Sequence, residues 1–152
     1  MAWLAKAVRR GPKDVLLAAE ALLLLAAFRI ALAVVPVRRI IAALCRPSGV
    51  EDRHADTTRD HESERRMRTA ASRVQWAVSA AVRHAPVEFV CFPQALAGYA
   101  MLRRRGVPGT VIYGVARSPA GDLIAHTWLT AGDRILLGED AAKDFTAIER
   151  WT

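Results

Sequence analysis

The run from Asp14 to Cys45 is built almost wholly of Ala, Leu, Ile and Val, and no other stretch so narrows the folds open to this chain. Its charged interruptions are Glu20, Arg29, Arg38 and Arg39, and Pro36 breaks it. Asp14 can cap a first helical turn. Pro36 must end or kink that helix, because it lacks an N–H and clashes with the preceding turn. Two helices are expected, one from Asp14 to about Val35 and one from Val37 to about Cys45. A helix apolar nearly all round has to be covered, within the domain or by a partner. Glu20 and Arg29 leave uninterrupted blocks shorter than the ~18 to 20 residues of a bilayer span, so membrane contact is the less favoured role. Arg29 needs a partner or a path to solvent, and Cys45 reads as a small hydrophobe.

A chain of 152 residues has the size of one ordinary domain. Its 53% hydrophobic and 7% aromatic content suits a helix-rich globular protein rather than a disordered one. Two cysteines do not make a disulfide scaffold. Gly11-Pro12 breaks the order of charged, apolar and small-residue segments that a signal peptide requires. The expectation is a cytoplasmic protein with reduced thiols. The formal charge of +7, carried by 22 basic residues, would suit a nucleic acid, an anionic membrane surface or an acidic peptide. The basic residues are scattered, with no base-stacking aromatic set, so no nucleic-acid partner is expected.

From Arg46 to Ser63 the chain turns polar and reads as a loop. His54 and His61 lie in it without a cysteine or histidine at ligand spacing, which points to solvated side chains and no metal. From Glu62 to His84 an amphipathic helix returns, with Met67, Ala70, Ala71, Val74, Val78, Ala81 and Val82 on one side and Arg65, Arg66, Arg68 and Arg73 mostly on the other. Pro86 ends it. The chain thus divides into an apolar helical part (1–46), a charged loop (47–61) and a core (62–152) of one α+β domain.

The segment from Val90 to Gly106 has both helix ends marked. Pro93 is tolerated in a first turn and sets the start, leaving Cys91 just before it; Gly106 stops the helix behind three arginines, and Pro108 prevents its resumption. A thiol there faces unpaired N–H groups that stabilise a thiolate and could hold an oxyanion. An isolated cysteine is more often a buried structural residue, so the nucleophile reading needs partners.

Beyond Gly106 the period changes to that of strands. Thr110 to Ala116, Leu123 to Thr130 and Arg134 to Leu137 are expected strands of an antiparallel meander, joined by turns at Ser118–Asp122 and Ala131–Asp133. In the middle strand Ile124, His126, Trp128 and Thr130 share one face, and Leu123, Ala125, Thr127 and Leu129 the other. His126 is the one histidine inside an expected strand. A strand histidine is more often structural, but an imidazole near this thiol is matched to take its proton and return it to a leaving amine. An acid would orient the ring. Asp133 is accounted for by its turn, which leaves Glu139 or Asp140, or neither if both are merely solvated. Glu139 to Thr152 reads as loop plus a short terminal element.

The residues Cys91-Phe92-Pro93-Gln94-Ala95-Leu96, Leu102 to Pro108, Gly114-Val115, Ala125-His126-Thr127-Trp128-Leu129 and Gly138-Glu139 together resemble the lasso-peptide leader peptidases of the transglutaminase-like cysteine protease superfamily. The chain looks like the stand-alone protease half of a split B protein, and Pro36-Val37-Arg38-Arg39 resembles that family's opening. The resemblance implies a transglutaminase/papain-like core in which a Cys-bearing helix packs on a small antiparallel sheet. It implies Cys91 as nucleophile, His126 as general acid/base, and no cofactor or metal. It further implies a precursor peptide as substrate, a separate leader-binding protein (a RiPP recognition element) and an ATP-dependent lasso cyclase. Two departures stand out: Thr127 and Thr130 replace the family's frequent alanine and acid around Trp128, and the third acidic position falls near Gly138, passing its role to Glu139 or Asp140. Two other readings compete. One is a non-catalytic helical interaction protein with an inert Cys91, and the other an acyltransferase using the same pair with an amine acceptor.

Overall fold

A computed structural model describes residues 11–45 and 61–152. His54 and most of the charged loop lie outside the described residues. Helices α1 (Pro12–Val34), α2 (Val37–Leu44), α3 (His61–His84) and α4 (Cys91–Arg104) precede strands β1 (Thr110–Arg117), β2 (Leu123–Ala131) and β3 (Arg134–Leu137). A single helical turn, α5 (Glu139–Ala142), leads to strand β4 (Thr146–Trp151). Among the described residues this is an α+β fold of four longer helices, the α5 turn and one four-stranded antiparallel sheet in the order β3-β2-β1-β4.

The Pro36 break falls where proline chemistry puts it. His61 opens α3 instead of lying in the loop, and its helix places Glu62 and Glu64 in the first turn, where the free N–H groups favour acids. The meander is as expected, and the short terminal element is a further strand, β4, on the far side of β1. Every residue of β4 before Trp151 is exposed, so the sequence carries no inside-outside alternation there.

One buried cluster joins α1 (Leu17, Ala21, Leu25), α3 (Val74, Ala77, Val78) and α4 (Leu96, Met101, Leu102) to Val111, Leu129 and Leu137 of the sheet. The apolar N-terminal helix therefore contributes core. Arginines fasten the helices at their flanks. Arg73 bonds Asp14 (2.8 Å), Arg105 and Arg104 converge on Glu20 (2.6 and 3.1 Å), and Arg103 donates to the Leu44 carbonyl (2.6 Å). Arg29 finds its partner in the Glu88 carbonyl (2.5 Å). The Arg105 hydrogen bond outweighs partial burial and holds the Glu20 carboxyl below its ordinary range.

Helix α4 ends as its sequence signals. Gly106, at φ 65°, lets its N–H reach the Arg103 carbonyl (3.1 Å) and the Val107 N–H reach that of Leu102 (3.1 Å), a Schellman closure with Val107 buried beyond it. The helix lies against the sheet at Gly98, where an added Cβ would come within 2.7 Å of Leu129 Cδ2 and 2.8 Å of Leu137 Cδ1. The helix-facing side of the sheet thus carries Val111 and Leu129, paired across β1 and β2. Alternation sends Trp128 and His126 to the opposite face.

Candidate active site

Cys91 is the first residue of α4, with Val90 at the N-cap, so the helix starts at the cysteine and not after it. Pro93 fits as its third residue because the first-turn N–H groups lack intrahelical acceptors in any case. No side chain caps this end. The thiol is partly exposed, and the leading N–H groups of α4 have no capping side chain to satisfy them. Gln94 Nε2 donates to the Phe89 carbonyl (2.5 Å) and fastens the corner through which the chain enters the helix. The second cysteine is a different group. Cys45 is buried, and desolvation pushes its thiol up to about 11 against the opposing effects of a Tyr99 hydrogen bond and of Arg103.

His126 sits in the middle of β2 opposite Gly114. Its ring stacks on Trp128 at 6.2 Å between centroids and meets the Phe145 ring at 5.3 Å. Its Nε2 lies 3.3 Å from the Gly138 carbonyl oxygen, which also accepts the Ala142 N–H at 3.2 Å. A carbonyl only accepts, so the contact assigns the proton to Nε2. In the neutral ring Nδ1 is then the lone-pair nitrogen. Gly138 permits this approach: its φ is 81°, and a Cβ there would stand 2.8 Å from His126 Nε2 and 3.0 Å from Trp128 Cβ.

Among the described residues the ring's hydrogen-bond partner is thus a backbone carbonyl, which neither residue type nor spacing marks in a sequence. Glu139, next along, is exposed at the start of α5, and no hydrogen bond joins it to the imidazole among the described residues. Asp140 follows in the same turn, its side chain outside the described ones. Asp133 is exposed beside Gly132 in the β2–β3 turn.

The structure brings the elements of the expected pair together without bonding the groups. Helix α4 packs on β2, yet no hydrogen bond links the Cys91 thiol to His126 among the described residues. Phe92, next to the cysteine, meets Trp151 at 6.4 Å, and Trp151 pairs with Val111 of the helix-facing side. The imidazole is held on the other side. Direct proton transfer between the two groups needs them within hydrogen-bond reach, which is not the arrangement described.

Beside the cysteine an open cavity of about 780 Å³ lies between α2 and the sheet. Val37, Ile41, Phe92, Tyr113 and Trp151 make it apolar and aromatic, and Arg38 and Glu149 add one charge of each sign. Such a surface can hold an apolar group.

A cysteine that opens a helix, packed on a strand that carries a histidine, supplies the residue types that thiol-dependent acyl transfer uses. A family model described as the transglutaminase-like superfamily matches residues 22–150, and the chain belongs to that superfamily. Its members include cysteine peptidases and acyltransferases. Neither a search of curated proteins nor one of solved structures finds a significant match.

Proposed function

We propose that this protein is a cysteine endopeptidase that removes the leader from a ribosomally made lasso-peptide precursor. What supports the reading is the conjunction of superfamily membership over residues 22–150 with Cys91 at the opening of α4 and His126 on β2, its Nε2 3.3 Å from the Gly138 carbonyl oxygen. The resemblance of the motifs around these residues to the leader peptidases narrows the substrate.

In this scheme Cys91 Sγ attacks the carbonyl that ends the leader, and its proton passes to Nδ1 of His126. The first N–H groups of α4 hold the developing oxyanion. Collapse of the tetrahedral intermediate breaks the peptide bond; the imidazolium gives its proton to the departing amine, the new N-terminus of the core peptide. Water then cleaves the thioester, releasing the leader as a carboxylic acid and restoring the thiol. Gly138 keeps the tautomer correct as a positioning residue. The 780 Å³ cavity lined by Phe92 and Trp151 takes an apolar side chain close to the scissile bond.

The precursor is delivered by a separate leader-binding protein, and the freed amine goes to an ATP-dependent cyclase for macrolactam formation, all in the cytoplasm. The test is mass spectrometry of a lasso-peptide precursor after incubation with the protease and a leader-binding protein. Cleavage at one bond is the expected result. Transfer of the acyl group to an added amine, with no free leader acid, would reassign the protein as an acyltransferase.

A further inference from the structure

Helix α1 is apolar on the side it does not bury. Leu17, Ala18, Ala21 and Leu25 face the core, whereas Leu16, Leu23, Ile30 and Val34 are 66–74% exposed. At 100° per residue these four fall within an arc of about 40° directly opposite the buried stripe. Ala19 and Ala27 flank them and are also exposed. A soluble helix normally turns charge outward along that line. Here the charged residues within the run are drawn to the flanks by internal bonds: Asp14 to Arg73, Glu20 to Arg105 and Arg29 to the Glu88 carbonyl. The outer line keeps an apolar strip about 27 Å long.

Cations bracket the strip. Lys13 is exposed at one end, Arg38 and Arg39 at the other, and the chain as a whole carries +7. This pattern decides among occupants. A second copy laid along the strip would set Lys13 against Lys13 in a parallel pair, or against Arg38 and Arg39 in an antiparallel one, so like charges meet in either direction. An anionic bilayer surface satisfies both features at once, taking the apolar line into the acyl boundary and the cations among the headgroups. By length and composition α1 could also cross a membrane, but its Leu25 is fully buried in the protein core and its Glu20 is tied to α4.

We infer that the protein is a peripheral membrane protein that docks on anionic lipid through the outer face of α1, lying in the plane of the interface. The inference stands apart from the peptidase reading and needs no substrate.

Sedimentation of the full chain with phosphatidylcholine vesicles and with vesicles containing 30% phosphatidylglycerol tests it. The expected result is binding to the anionic vesicles at least tenfold stronger than to the neutral ones, weakening as salt is raised. Leu23→Glu with Ile30→Glu, both at exposed positions, should lower the binding at least tenfold with the melting temperature held. Lys13→Glu with Arg39→Glu should remove the preference for anionic lipid. Wild-type protein left in the supernatant with anionic vesicles, or binding unchanged in the Leu23/Ile30 variant, overturns the inference. So does a solution dimer that the same variant dissociates.

Discussion

The imidazole Nε2 of His126 and the carbonyl oxygen of Gly138 stand 3.3 Å apart, and a Cβ on residue 138 would crowd that nitrogen at 2.8 Å. The candidate base is therefore set by the backbone of the β3–α5 corner. Gly138→Ala adds a Cβ 2.8 Å from Nε2 at a φ of 81°, so the ring must leave its place. Left-handed backbone at an alanine costs about 1–2 kcal/mol of stability. The turnover number should fall by about a hundredfold or more, the scale of a general base, while KM changes little. Steady-state kinetics beside a melting curve separate the two effects, and an unchanged turnover number would remove Gly138 from the site.

The two thiols should behave differently. With Cys45 buried and pushed up to about 11, iodoacetamide at pH 8 should label the folded protein once, at Cys91. Peptide mapping identifies the adduct, and Cys91→Ala should be left unlabelled until denatured. An adduct on Cys45 in the native protein would contradict the packing around α2.

Glu20 offers a pH test of the helix assembly. Its carboxyl titrates below its ordinary value of 4.5 in the folded state, chiefly through the Arg105 hydrogen bond. A lowered folded pKa means stability that is present above the unfolded value and lost as pH falls through the folded one. Glu20→Gln should therefore cost about 1 kcal/mol at neutral pH, after screening by solvent, and almost nothing once wild-type Glu20 is protonated. Urea melts across that range check both the size and the direction.

Leu25→Ala asks whether α1 is part of the folded unit. Leu25 is fully buried in the common core, so its truncation should cost about 2–5 kcal/mol in a single cooperative transition. A detachable N-terminal anchor would show no loss in the transition of the remaining domain.

Filling the cavity beside Cys91 should act on binding. Ala42 lines it from the exposed side of α2, and Ala42→Trp should raise KM for the precursor several-fold with kcat nearly unchanged. The reverse pattern, a lower kcat at constant KM, would place the substrate elsewhere.

How far these features are legible in the residues depends on which of them carry local signals. Pro36, Pro93, Gly106 and Pro108 act through their own backbone geometry, and the helix breaks fall beside them. The strands of the meander follow the period of two at His126, Trp128 and Leu129. Strand β4 is an edge strand anchored by Trp151 with the rest exposed, so it has no buried face to pattern. The role of Gly138 is hidden for another reason. A carbonyl has no residue identity, whereas the neighbouring acids Glu139 and Asp140 stand out by type. The outward face of α1 is hidden in the same sense, because composition cannot say which side of an all-apolar helix the core takes.

The most direct measurement is cleavage of the precursor by wild type and by Cys91→Ala, each with the leader-binding partner, read by mass spectrometry. Wild type should make one cut and the variant none, with the variant's fold and partner binding intact. Equal cleavage by both proteins, or none by wild type while the partner still binds it, would contradict the assignment of Cys91 as the nucleophile of a peptidase.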